Sequence, residues 1–197
     1  MTTTPLDRPA ASPPSPRPGA ARRRRPQPRL LRTSRRSGAG RGAAGPARHR
    51  IAFVCSSGGH LIQLYRLRPW WQSHERLWVT FNTPDAVSLL GGEHVFWGHH
   101  PTTRNIPNLL RNVCLAWSLL WRHRPDVVVS NGAGLAFPFF LLAHLFGTKT
   151  VYVEVYDRID LPTMTGRLCY PLSDLFLLQW QEQKRFYPRG QVIGHVL

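Results

Sequence analysis

Ile51-Ala-Phe-Val-Cys-Ser-Ser-Gly-Gly-His60 is the stretch from which the fold can be read. Its first four residues have strand composition, and they run into a turn of small residues. Beyond the turn, Leu61, Leu64, Tyr65 and Leu67 recur at helical spacing. The pattern predicts a strand, a glycine turn and a helix. Glycines allow a tight turn and let a ligand approach the backbone closely. The helix start offers free N–H groups and the positive end of a dipole, which suits a phosphate. His60 stands at that mouth. The spacing is neither the G-x-G-x-x-G of a dinucleotide site nor the G-K-[ST] of a P-loop.

Downstream, the same alternation repeats. Strands are expected at 76–81, 93–97, 126–129, 149–154, 174–179 and 191–193. Helices are expected after Thr83-Pro84, where Thr83 reads as an N-cap and Pro84 as the first helical residue, and over 105–121, 135–146, 166–170 and 181–187. Asp126-Val-Val-Val129 is nearly all apolar, as a central parallel strand covered on both faces should be. Leu135 to Phe146 is also apolar, but it is too short to span a bilayer and carries Pro138. In helix 105–121 the apolar stripe is read as Ile106, Leu109, Leu110, Val113, Trp117 and Leu120, widened by Leu115, Leu119 and Trp121. The alternation specifies an α/β fold with a doubly wound, Rossmann-like parallel sheet. Such a sheet gathers every strand's carboxyl end on one rim, where ligands of open α/β sheets bind. That rim is expected to hold Ser56–His60, Asn82–Pro84, His99–Arg104, Ser130–Gly134 and Glu154–Asp160.

Charge is distributed unevenly. The 197-residue chain carries a formal charge of +16, yet residues 1–50 hold 13 arginines against a single aspartate. Residues 1–49, rich in Pro, Arg, Ala, Gly and Ser, lack the apolar content to offset ordering entropy and read as a disordered basic tail. They carry no apolar segment of a signal peptide. The run Arg22–Arg25 suits anionic lipid or nucleic acid; the plainer reading is a solvated tail, so a nucleic-acid partner is not expected. Residues 50–197 suit one domain. Cys55, Cys114 and Cys169 are far apart, so free thiols are expected and metal spacing is absent.

Several rim residues have two readings. His60 is a general base, because its reference pKa lies near neutrality, or a residue that only hydrogen-bonds the turn. Arg104, with Thr102 and Thr103, holds a phosphate or is a surface cation beside a helix start. Glu154 is a functional acid at a strand end or a structural one. His99 and His100 are adjacent and diverge if extended, so no metal site is expected there. Of Trp70, Trp71, Trp117 and Trp121, at least two are expected in the core and the others at a membrane surface.

Ser56-Ser-Gly-Gly-His60, Pro101-Thr-Thr-Arg-Asn105, Asp126-Val-Val-Val-Ser-Asn-Gly-Ala-Gly134, Thr150-Val-Tyr-Val-Glu154, Thr165-Gly-Arg167 and Tyr170-Pro-Leu-Ser-Asp174 together resemble a family. It comprises bacterial relatives of the acceptor-binding subunit of the dolichol-linked N-acetylglucosamine transferase, which act in exopolysaccharide and capsule assembly. More distantly, the turns resemble the amino-terminal half of the peptidoglycan lipid-linked N-acetylglucosaminyltransferase. The resemblance covers residues 50–197 and implies the acceptor-binding, amino-terminal half of a GT-B glycosyltransferase split over two chains. It further implies that Ser57, Gly58, Gly59 and His60 face the acceptor's diphosphate or reactive hydroxyl. Asn131, Gly132 and Gly134 would form a second glycine loop, with Glu154 nearby as a second catalytic group and Thr103 and Arg104 on phosphate. The acceptor would be a polyprenyl-diphosphate-linked sugar, and the UDP-sugar would bind the partner, so this chain needs no cofactor of its own. The eukaryotic subunit has an amino-terminal transmembrane helix where this chain has arginines. Contact with an anionic membrane at the cytoplasmic face of the plasma membrane is therefore expected to be peripheral, through helix 105–121 and Arg104, Arg111, Arg122 and Arg124. The alternative is a stand-alone nucleotide-binding Rossmann-type enzyme; against it, no acid ends the second strand to meet a ribose. Val196 and Leu197, apolar residues after the last strand, suit a partner interface or packing on the domain.

Overall fold

The structure, a computed structural model, describes residues 47–196. Leu197 and nearly all of the expected tail lie outside the described residues. The seven strands are β1 (Arg50–Val54), β2 (Glu75–Thr80), β3 (Val95–Trp97), β4 (Val127–Ser130), β5 (Lys149–Val153), β6 (Leu175–Leu178) and β7 (Gln191–Val192). They form one sheet in the order β3-β2-β1-β4-β5-β6-β7, and every pairing is parallel. β1 is flanked by β2 and β4, so the order reverses beside it and leaves a crevice at its carboxyl end.

Each parallel pairing needs a crossover; helices supply all but the one from β6 to β7, which runs through a 3₁₀ turn. They are α1 (Gly59–Arg66), α2 (Arg68–Trp71), α3 (Pro84–Leu89), α4 (Ile106–His123), α5 (Ala136–Ala143) and α6 (Met164–Cys169). Side chains alternate across the sheet and divide the core in two. Ala52, Val54, Leu77, Val79 and Val128 face α4, α5 and α6, where they meet Ala116, Leu119, Leu120, Phe139, Phe140 and Cys169. Ile51, Phe53, Trp78 and Val129 face α1, α2 and α3, where they meet Leu61, Leu64, Trp71 and Ala86. In this second layer Phe53 stacks on Trp78 at 4.4 Å, and the Trp71 indole donates to Leu64 O at 3.1 Å. Fully burying such a side chain contributes about 1.5–3 kcal/mol, so a change from Phe53 or Trp78 to Ala would be among the costliest in the chain.

Local structure departs from the reading of the sequence in four places. The segment expected as helix over 181–187 is a 3₁₀ turn, Glu182–Arg185, and the short helix α2 was not anticipated. Helix α4 is turned about its axis relative to the expected stripe. Its buried face is Asn108, Asn112, Ala116, Leu119 and Leu120, whereas Ile106 is 70% exposed and Leu110 59%. The reason is hydrogen bonding. Asn112 accepts from His99 N at 2.8 Å and donates to His99 O at 3.0 Å, and Asn108 donates to Pro101 O at 3.0 Å. These amides satisfy loop backbone that would otherwise be buried unpaired, and so they face inward. Of the four tryptophans, at least two of which were expected in the core, only Trp71 is a core residue; Trp70, Trp117 and Trp121 are 49%, 50% and 61% exposed. Val196, read as suiting a partner interface or packing on the domain, is half-buried, its N–H donating to Gln179 Oε1 at 3.0 Å.

Candidate functional site

Gly58 turns the chain between β1 and α1 with φ 73 and ψ −136, a backbone that favours glycine. Its N–H donates to Asp85 Oδ2 at 2.8 Å, and Ile62 N closes the first turn on Gly58 O at 3.0 Å. Asp85 lies in the first turn of α3, behind Thr83 and Pro84. The Thr83 hydroxyl, then the Gly58 N–H, hold its carboxyl below the usual range. The sequence reading treated Asn82 to Asp85 as a helix start and missed this contact. The available signal was an acid in the helix that follows the neighbouring strand. Ser57 and Gly58 are half-buried and Gly59 is exposed.

His60 is clamped by the second turn. Its Nδ1 lies 3.1 Å from Asn131 O, while Asn131 Nδ2 donates to His60 O at 2.8 Å and to Gln63 Oε1 at 3.3 Å. A carbonyl only accepts, so the bond requires the proton on Nδ1 and leaves Nε2 as the acceptor. Burial lowers the His60 pKa, and the Asn131 contacts oppose that shift less strongly. The net lowering favours the neutral ring. Asn131, expected on the acceptor, is wholly buried and supports His60 from beneath.

The rest of the second turn is packed on both sides. Gly132 has φ 115, and a Cβ there would lie 2.8 Å from the Tyr152 hydroxyl and 3.5 Å from His60 Cε1. A Cβ on Gly134 would lie 2.8 Å from Thr102 Cβ. The loop at the start of α4 is thus seated on the second turn, and the second turn on the first. Thr103 and Arg104 remain exposed; Arg104 has φ 51, and among the described residues its guanidinium makes no hydrogen bond or ion pair. His100 stacks edge-on against Phe81 at 5.2 Å. Among the described residues no three His, Cys, Asp or Glu side chains could hold a metal ion.

Glu154 lies beneath the rim. It is wholly buried; Oε1 accepts from Val155 N at 3.1 Å, and Oε2 converges with the Tyr187 hydroxyl and Thr163 Oγ1 on the space left by Gly166. Burial pushes its pKa up, against the Tyr187 hydroxyl and Val155 N–H. Glu154 was expected as a second catalytic group; the structure places its carboxyl under the rim, without exposure in this chain. Tyr187 and α6, distant in sequence, cover it. Cys55 and Cys169 are buried, and burial raises both thiols to about 12. Cys114 is exposed, and all three are free.

The fold has counterparts. Residues 99–196 match the family described as "Oligosaccharide biosynthesis protein Alg14 like". The chain is 31% identical over 193 residues to the UDP-N-acetylglucosamine transferase subunit ALG14 of Eremothecium gossypii, covering 81% of this chain and 83% of that protein. It is 33% identical over 94 residues to the human subunit of the same name, covering 45% of this chain but only 44% of the human protein. Among solved structures, MurG of Acinetobacter baumannii superposes with a TM-score of 0.58 at 15% identity, covering 68% of this chain and 42% of that one. A UDP-N-acetylglucosamine 2-epimerase from Rickettsia bellii superposes with a TM-score of 0.61 at 12% identity, covering 76% and 46%. The two superpositions establish a fold shared with one half of GT-B proteins. With the extent of the match to the Eremothecium subunit, the chain belongs to the Alg14 family.

Proposed function

We propose that this chain is the acceptor-binding half of a two-chain glycosyltransferase. In this reading it moves a sugar from a UDP-sugar, held by a donor-binding partner, to a polyprenyl-diphosphate-linked sugar in lipid-linked oligosaccharide or polysaccharide assembly. The observation that carries the reading is the His60 clamp: an imidazole at the sheet's carboxyl rim, with Nδ1 tied to Asn131 O and Nε2 left to accept. Transfer needs a base of this kind. Nε2 takes the proton from the acceptor hydroxyl as that oxygen bonds to the anomeric carbon, and the bond from that carbon to the UDP oxygen breaks. Arg104, with Thr103, is the free cation for the acceptor's diphosphate.

A catalytic cleft needs two facing halves, and the described residues form one α/β layer system around a single sheet. We therefore expect no transfer by this chain alone. The α4–α5 surface suits a peripheral seat on the cytoplasmic face of a membrane. Ile106, Leu110, Trp117, Trp121 and Leu145 are exposed there beside Arg104, Arg111, Arg122 and Arg124. Among the described residues no helix is long and apolar enough to cross a membrane. The test is transfer of labelled sugar from UDP-sugars to a lipid-linked acceptor by the full chain, with and without a candidate donor subunit. Transfer by the pair only is expected. Robust transfer by the single chain would refute the split. Vesicles containing anionic lipid should retain the protein, and Trp117→Ser with Trp121→Ser should release it.

A further inference from the structure

The start of α1 is where the sequence places an anion, and in the structure a carboxylate already occupies it. Asp85 reaches across from α3 and accepts the Gly58 N–H at 2.8 Å, joining residues 27 positions apart in the chain. This has two physical consequences. The bond fixes the N–H direction of a glycine whose own backbone has few preferences, two residues before His60. It also places a negative charge at the positive end of α1, so a diphosphate brought to Gly58 would meet a like charge at contact distance and find its first donor taken. On the loop that precedes α4 the balance is reversed. Arg104 precedes α4, which has 18 residues and no acid in its first turn. An open groove of about 520 Å³ between α1 and α3, lined by Ile62, Tyr65, Asp85, Ser88 and Leu89, gives an uncharged group room beside Asp85.

We propose that Asp85 is a positioning residue that latches the glycine turn so that His60 meets a neutral hydroxyl, and that its carboxylate keeps the acceptor's diphosphate off the start of α1. The inference rests on the transferase reading for the identity of the acceptor, although the latch itself does not. It orients the acceptor, with sugar toward α1 and α3 and diphosphate toward Arg104.

The experiment follows the backbone amides of Gly58 and His60 by NMR in the full-length chain, with inorganic pyrophosphate as the probe. In the wild type the Gly58 amide should exchange slowly, and pyrophosphate should shift neither amide. In Asp85→Ala, exchange at Gly58 should rise about tenfold or more, and pyrophosphate should shift both signals. Asp85→Asn, whose side-chain oxygen still accepts, should keep the slow exchange while losing the repulsion. In the reconstituted pair, Asp85→Ala should lower kcat by about tenfold or more, with Asp85→Asn restoring most of it. Unchanged Gly58 exchange in Asp85→Ala would overturn the latch. Pyrophosphate shifts at Gly58 in the wild type would overturn the exclusion. If the amides behave as expected but no pair transfers sugar, the transferase reading fails and the latch stands.

Discussion

Ser56–His60 and Ser130–Gly134 look alike in sequence, each a run of small residues between a buried strand and a helix. The structure gives them opposite jobs. The first turn stays half-exposed and presents a side chain, His60. The second is largely withdrawn: Asn131 is buried, Gly132 is closed over by the Tyr152 hydroxyl, and Gly134 is closed over by Thr102. In the proposed reaction one turn does the chemistry and the other sets its geometry. A glycine in the first faces open space, and a glycine in the second leaves room for the protein's own neighbours.

This division can be broken by substitution. The largest effect is expected for His60→Ala in the reconstituted pair. Losing a general base lowers turnover by about 10²–10⁴, while the melting temperature should hold because no core cavity opens. Turnover near wild type would remove His60 from the mechanism. Asn131→Ala should fail on both counts. It removes the donor to His60 O and Gln63, for about 1–3 kcal/mol of stability, and it loosens the ring, so kcat should fall together with the denaturation midpoint. If stability fell and kcat did not, the second turn would be mere scaffold. Gly132→Ala meets both a positive φ and the Tyr152 hydroxyl; a cost of about 1–3 kcal/mol is expected by denaturation, against little cost for Gly59→Ala, where nothing lies within 4 Å of the added carbon.

Glu154 sharpens the contrast in a different way. Its folded pKa is raised, so the stability it contributes is present below its unfolded value near 4.5 and is lost as pH rises through the folded value. Glu154→Gln should therefore flatten the fall of melting temperature from acid to neutral pH. A parallel pair of curves would show that the carboxyl ionises without cost. The smallest effect is chemical. In the native chain only Cys114 should take up an alkylating reagent, read as a single mass increment, because Cys55 and Cys169 are buried thiols.

How much was legible in the sequence depended on how local the determining force was. The strand Ile51–Val54, the apolar run before Asn131 and the helix start at Thr83 and Pro84 act over a few residues, and the parallel, doubly wound sheet followed from them. Helix α4 was legible as a helix but not in its orientation. Two inward asparagines override its apolar stripe because they pair with loop backbone 7 and 13 residues upstream, which periodicity cannot register. Glu154 was legible as a strand-end acid, yet its burial depends on Tyr187, which folds over from beyond β6. Asp85 escaped notice because its partner is visible only once β1 and β2 lie side by side. Of the candidate site, then, the positions on the rim were readable, and the division of labour among them was not.

The most direct measurement is the protonation of His60 itself, by ¹⁵N NMR of the imidazole across pH 4–8. The expected result is a neutral ring at pH 7 with the proton on Nδ1, and a titration midpoint below the ordinary value of about 6.5. Asn131→Ala should change the tautomer ratio. A ring charged at pH 7, or a neutral ring carrying its proton on Nε2, would leave the first turn without a base and contradict the assignment of chemistry to it.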